Sequence, residues 1–324
     1  VGPTASALLS TRAALAARVL LVSATAALAA CGSTRPVPPP PPVAPLPLPP
    51  SLVSVRTIEP RVGIALGGGG ARGFAQIGVL RVLEQEKIRI DFIAGTSVGS
   101  LVGALYADSG RVLDAEMLAL EVRREDLFDF SPLGVFGAGL AKGEKLAKFV
   151  ETHLKHRLIE NMAIPFAAVA VDLRTGKAVA FEKGEVARAV RASAAIPAVF
   201  EPVEFSGTRW VDGGVVDPVP VDIARKMGAD VVIAVSIPPA VPATSPDNPI
   251  QVALHAITIM SAEIGRLRAR EADVVVAPDV GDVRYDDFDQ KKRLIDAGET
   301  ATRKAMPAIR AAIAAKTRTV TTQR

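Results

Sequence analysis

Ser97 stands in Gly95-Thr96-Ser97-Val98-Gly99, a G-x-S-x-G pattern. In such a pattern a serine occupies a sharp turn between a strand and a helix, with its hydroxyl pushed clear of the backbone. That is the posture of a nucleophile. Gly95 and Gly99 leave room for a turn that a side chain would crowd. The flanks supply the required context. Residues 91–94 are short and apolar, as a buried strand is, and residues 98–106 can form a helix although two glycines weaken it.

A second glycine-rich run, Gly67-Gly68-Gly69-Gly70-Ala71-Arg72-Gly73, lies between the apolar stretch 62–66 and an amphipathic pattern over 74–86. Phe74, Ile77, Leu80 and Leu83 share one face of that helix. Strand, loop, helix and the strand before Ser97 make a β-α-β unit, which predicts a parallel sheet. The loop admits three uses. Gly68-x-Gly70-x-x-Gly73 matches a dinucleotide fingerprint, but that use wants an acidic residue at the end of the second strand. Gly95-Thr96-Ser97 stands there instead, and Asp91 is at the wrong end. A phosphate-binding Walker loop needs Gly-Lys-Ser/Thr, where this chain has Arg72-Gly73-Phe74. The third use is an oxyanion hole. Consecutive glycines turn backbone N–H groups toward one point, and the following helix adds its positive end. With a serine on the neighbouring strand this use is the most economical, and Arg72 either adds charge or forms a surface ion pair.

The serine needs a base. His153 and His156 lie three apart on an amphipathic helix and read as a solvated face; His255 lies in an apolar helix and reads as a core or interface residue. None stands in a glycine-rich loop, so a histidine triad is disfavoured. Asp212-Gly213-Gly214 follows the strand-like Arg209-Trp210-Val211, in a loop open to close backbone approach. A carboxylate is a weak base, with a pKa of about 3.9, and partial burial would raise it into a useful range. The ordinary alternative is an Asp-Gly turn.

The three motifs occur in the order seen in patatin-like phospholipases, and the chain resembles that family over roughly residues 60–236. The likeness extends to Ala192-Ser193-Ala194-Ala195-Ile196-Pro197-Ala198-Val199-Phe200-Glu201-Pro202 and to Val216-Asp217-Pro218-Val219-Pro220. The resemblance implies a three-layer α/β/α fold with a mostly parallel central sheet. It also implies lipid acyl ester hydrolysis by a Ser-Asp dyad, with no metal and no cofactor. Carried over, Ser97 is the nucleophile, Asp212 the base, and the amides of Gly69 and Gly70 the oxyanion donors. Gly68, Gly73, Gly95, Gly99, Gly213 and Gly214 complete the motifs. Gly67 departs from the Asp of plant members, and Gly214 from a more usual Ala; neither touches the dyad.

The rest of the chain positions this set. Helices are expected over 112–120, 144–154, 186–195, 221–227 and 250–271, and over 289–315 with an interruption near Pro307. Strands are expected over 166–171, 178–181, 231–235 and 273–277. The apolar, glycine-bearing stretch 127–140, with Phe128, Phe130 and Phe136, reads as core, as the border of an acyl channel, or as a lid. Hydrophobic residues make up 49% of the 324 and charged residues 22%, enough for a large core. A net charge of +4 with only 4% aromatics and no Lys/Arg run argues against a nucleic-acid binder, while leaving attraction to anionic lipid open.

Cys31 is the chain's single cysteine, so no internal disulfide and no Cys-based zinc cluster is expected. Residues 1–30 read as a signal peptide, with Arg12 and Arg18 ahead of an apolar run too short to span a membrane. That run ends Leu28-Ala29-Ala30-Cys31, which resembles the bacterial lipobox, whose cysteine is lipidated. Gly32 follows rather than Asp, which by analogy with enterobacterial sorting favours the outer membrane, facing the periplasm. Residues 31–60, rich in proline, read as a semi-rigid stalk. The catalytic domain is expected over 61–315, and a polar, frayed tail over 316–324. The partners implied are a membrane lipid substrate and the membrane that holds the anchor; no protein partner is indicated.

Overall fold

The structure, a computed structural model, describes residues 53–129, 141–237 and 248–323. Cys31, the signal and nearly all of the stalk, and Phe130 and Phe136 lie outside the described residues.

The central strands are β2 (Val62–Leu66), β3 (Phe92–Thr96), β4 (Phe166–Asp172), β8 (Val231–Val235) and β9 (Val274–Val276). Successive side chains of a strand point to opposite faces, and here the two faces differ in size. Ile64, Leu66, Ile93, Phe166 and Ile233 belong to one core cluster, with side chains of α1 (Phe74–Gln85), α2 (Val98–Ser109) and α9 (Lys291–Lys316). Ala65, Ala94, Ala167 and Ala234 belong to a second, with side chains of α7 (Val221–Lys226) and the end of α8 (Pro249–Ala269). Helices therefore cover both faces, giving the three α/β/α layers that the sequence predicts.

β2, β3, β4, β8 and β9 pair in parallel. β6 (Val203–Phe205), β7 (Thr208–Asp212) and β5 (Ala178–Phe181) add antiparallel pairs, and the path runs β6-β7-β4-β3-β2-β8-β9 with β5 on β4. The register around β4 is decisive for the site. Val169 pairs with Thr96 of β3 and Ala180 of β5, and Ala170 pairs with Val179 of β5 and Asp212 of β7. A strand has two edges, so β3 and β7 share the edge that β5 leaves. β3 climbs that edge to Thr96; β7 descends it, antiparallel, to Asp212. The two strands meet end to end at neighbouring residues of β4.

Three expectations need correction. The last helix is continuous, with Pro307 inside it. Pro307 is exposed, so the carbonyl it leaves without a donor faces water, while Met306 and Ile309 are buried and hold the helix down. Residues 318–323 are not frayed: they form β10 (Arg318–Gln323). β10 pairs antiparallel with β1 (Val53–Ile58), itself within the span read as stalk. β1 carries Val, Thr and Ile and β10 Val and Thr, and each supplies the pairing the other lacks.

Candidate active site

The turn after β3 forces Ser97 to φ 56° and ψ −126°. A non-glycine residue in that region is strained by about 1–3 kcal/mol and persists only where its surroundings over-determine it. They do so here. A Cβ at Gly95 would lie 2.3 Å from the Gly99 carbonyl oxygen, and one at Gly99 only 2.1 Å from that of Leu66. The Ser97 N–H donates to Ser193 Oγ at 2.9 Å, and that hydroxyl donates onward to the Val169 carbonyl at 2.6 Å. Ser193 sits at the end of α6 (Val186–Ser193) and is fully buried. Ser97 itself precedes the first turn of α2, whose positive end therefore lies beside its hydroxyl.

Asp212 arrives from the opposite direction. It is 5% exposed, and its Oδ1 accepts from the Gly214 N–H at 2.7 Å. A Cβ at Gly213 would lie 2.3 Å from the Val169 carbonyl oxygen and 3.0 Å from Thr96 Cγ2, so the Asp-Gly-Gly turn is pressed against the elbow. Burial pushes the Asp212 carboxyl up to about 6, while the Ser97 hydroxyl and the Gly214 amide act in the opposite sense. Oδ2 is buried without a partner of full hydrogen-bond geometry. The serine thus approaches the carboxylate closely enough to affect it without a fully formed bond, as is common before substrate is bound. A carboxylate near 6 is a far better proton acceptor at neutral pH than one near 4.

The glycine loop closes the third side. A Cβ at Gly68 would touch Ser97 Cβ at 3.4 Å. The Gly68 N–H donates to the Pro218 carbonyl and the Ala71 N–H to that of Tyr285, at 3.0 and 2.6 Å. Gly69 and Gly70 lie between these committed amides at the start of a short 3-10 turn, where N–H groups have no partner within the turn. Gly70 has φ 59°, and Tyr285 leaves no room there for a side chain. Arg72 is buried rather than at the surface. It is 4% exposed and its Nε donates to the Gly69 carbonyl at 3.0 Å, fixing the peptide beside the two amides.

The remaining segment of the site ties these parts together. Thr96 Oγ1 donates to the Asp217 carbonyl at 2.8 Å, and the Asp217 N–H donates to that of Gly213. The Asp217 side chain is almost fully buried. Burial and the neighbouring Asp222 push its carboxyl up to about 7. Gln76 of α1 holds the Gly67 carbonyl from beneath. Sequence reasoning assigned no role to Ser193, Thr96 or Gln76. The available signal was a lone polar residue within an apolar run, as in Ala192-Ser193-Ala194.

Ser97 and Gly70 line an apolar pocket of ≈ 790 Å³, its open mouth included. Leu101, Leu105, Leu127, Phe128, Phe200 and Phe288 are among its lining residues. Leu127 and Phe128 are the described part of the stretch read as channel border or lid. No histidine lines this pocket. His153 Nδ1 contacts the Phe149 carbonyl, and His156 Nδ1 the Asp108 carboxylate, both away from Ser97. Among the described residues, no group of three or more His, Cys, Asp or Glu is arranged to hold a metal ion.

The chain is similar to known proteins. An uncharacterized NTE family protein of Mycobacterium tuberculosis is 38% identical over 192 residues, covering 59% of this chain and 53% of that one. The chain thus spans about half the length of this curated relative. The lysophospholipase NTE1 of Mycosarcoma maydis is 35% identical over 179 residues, covering 54% of this chain and 10% of the other. Human patatin-like phospholipase domain-containing protein 6 is 32% identical over 181 residues, 54% and 13% of the two chains. The crystal structure of VipD from Legionella pneumophila superposes with a TM-score of 0.53 at 13% identity, over 85% of this chain and 72% of that one, a likeness of fold. Residues 64–225 match the family model for patatin-like phospholipase, and the chain belongs to that family.

Proposed function

We propose that this protein hydrolyses acyl ester bonds of phospholipids or lysophospholipids, with Ser97 as nucleophile and Asp212 as its base. The observation that carries the reading is the head-on meeting of a buried aspartate with a strained serine that lines an apolar pocket. Asp212 takes the Ser97 proton as Oγ adds to the acyl carbonyl. The negative oxygen formed there faces the amides of Gly69 and Gly70, and a donor so placed is worth about 3–4 kcal/mol of barrier. As the carbonyl re-forms, the ester C–O bond breaks and the alcohol leaves with the proton held by Asp212. Water, deprotonated by the same carboxylate, then adds to the acyl-enzyme and releases fatty acid and free Ser97.

The test is fatty-acid release from phosphatidylcholine and lysophosphatidylcholine vesicles, together with labelling by a fluorophosphonate probe. Wild type is expected to release acid and to label; Ser97→Ala is expected to do neither, and Asp212→Asn to do both far more slowly. Wild-type activity in either folded variant refutes the dyad.

The proposal extends to location. A signal over 1–30, a lipidated Cys31 and a stalk, shortened by β1 to residues 32–52, would hold a domain that follows from Val53 at the outer membrane, facing the periplasm. Support is the placing of the single cysteine after Leu-Ala-Ala. Cys31→Ser is expected to abolish incorporation of a clickable palmitate and to move the protein out of the membrane fraction; unchanged fractionation refutes the anchor.

A further inference from the structure

The pocket under Ser97 ends in a wall that separates it from a second cavity. That cavity is an open surface cleft lined by charged residues, among them Glu125, Lys145 and Lys148. Three side chains line both cavities: Leu118, Val122 and Phe149. A side chain that faces two cavities at once forms a partition one residue thick. Leu118 and Val122 lie four apart at the end of α3 (Val112–Glu121), and such residues stack on one face of a helix. Phe149 comes from α5 (Glu144–His153) and meets them across the gap. The imidazole of His153 packs against the Phe149 ring from the next turn, with centroids 4.3 Å apart, and itself lines the cleft. The partition is therefore apolar toward Ser97 and polar behind.

We propose that Leu118, Val122 and Phe149 form the end stop for the substrate's fatty acyl chain and so set the preferred chain length. The inference rests on the reading of Ser97 as the nucleophile. An acyl group bound to Ser97 directs its chain into the apolar pocket, where each methylene leaves water. Burying one methylene is expected to raise kcat/KM about fourfold. That gain stops where the chain meets the partition, because beyond it lies a hydrated, charged cleft that offers methylenes no apolar surface. Thinning the partition joins the two cavities and lets a longer chain run on; thickening it shortens the usable pocket.

The test uses the full-length protein and p-nitrophenyl butyrate, octanoate, dodecanoate and palmitate. In the wild type, kcat/KM climbs with chain length and then levels off. Phe149→Ala is expected to move that break to longer chains, raising the palmitate-to-octanoate ratio tenfold or more, on the order of two further buried methylenes. Leu118→Trp is expected to move it to shorter chains. Val122→Ala is a smaller cut in the same partition and keeps the test standing if Phe149→Ala does not fold. A break that stays in place in all folded variants overturns the end stop. If wild type turns over none of the esters, the hydrolase reading fails instead. Calorimetric titration with the four free fatty acids then reads the partition without turnover: affinity that levels off at the same length in wild type and Val122→Ala overturns it.

Discussion

Replacing Asp212 by asparagine is expected to stabilise the folded protein at neutral pH while removing its activity. Burial lifts this carboxyl from 3.8 to about 6, even with the Ser97 hydroxyl and the Gly214 amide acting to lower it. The unfolded chain returns it to its ordinary value. A difference of about 2 pH units, at 1.36 kcal/mol each, means that the ionised carboxylate costs the fold about 3 kcal/mol. The sign follows from proton counting. Between pH about 4 and about 6 the folded state keeps a proton that the unfolded state has released, so stability falls as pH rises through that window. Above it the full cost is present; below it there is none. Asparagine has nearly the same shape and no charge. Its oxygen can keep the bond from the Gly214 amide, and its NH₂ replaces an Oδ2 that has no fully formed hydrogen bond. Urea denaturation of wild type and Asp212→Asn at pH about 8 should show the variant more stable by about 1–3 kcal/mol, the lower figure allowing for an imperfect amide fit. The same comparison at pH about 4 should show the two nearly equal. Asp217 titrates in both proteins and cancels. A variant no more stable at pH about 8, or one whose advantage is the same at both pH values, refutes the claim that burial of a charge is what makes Asp212 a base.

Three further outcomes follow from the same geometry. The kcat/KM profile should fall tenfold per pH unit below pH about 6, as Asp212 protonates; a profile flat down to pH about 4.5 would contradict the raised carboxyl. Ser193→Ala removes the acceptor of the Ser97 N–H and the donor to Val169, and should lower kcat about tenfold with little change in KM, partly restored by Ser193→Thr. If KM rises instead while kcat holds, Ser193 does not position the serine. Gly99→Ala drives a methyl into the Leu66 carbonyl and should destabilise the fold by about 3 kcal/mol or more in thermal denaturation, against about 1–2 kcal/mol at Gly176, which is open but holds φ 69°.

The backbone of the candidate site was legible where it takes turns that only glycine allows. Gly95, Gly99, Gly70 and Gly213 mark places where a Cβ meets a carbonyl oxygen, so the three motifs could be read one residue at a time. The layering came with the family resemblance, and the alternation of Ile64, Leu66 and Ile93 with Ala65 and Ala94 is its physical basis, one large-residue face and one small. What could not be read was the pairing between distant segments. Nothing near Asp212 in the chain says that its strand shares an edge of β4 with the strand of Ser97; that is a matter of register across more than one hundred residues. Arg72 was left between added charge and a surface ion pair for a related reason. An arginine beside four glycines suggests solvent or an anion, whereas its partner includes a carbonyl three residues back, and burial follows from the loop's closure. The terminal strands were missed because neither carries a sheet signal without the other. Pro307 was over-read, because the rule against proline in helices weakens on a face turned to water.

The pairing of β1 with β10 carries a consequence for how this domain can be used. Val53 lies opposite Gln323 and Ile58 opposite Arg318, so the polypeptide enters and leaves the domain side by side. A unit whose two ends adjoin behaves like a bead on a clip. It can be placed beside other domains, or between them, without its core having to accommodate the junction. The elbow, the aspartate turn and the glycine loop follow β3, β7 and β2 of the large sheet, none of which is used as an attachment. In relatives several times the matched length, the stretch similar to this chain is a small part of the whole. In engineering terms, the ribbon is the natural splice site: a fusion joined through residues 53 and 323 would transplant the domain while leaving Ser97 and Asp212 on the scaffold that aligns them.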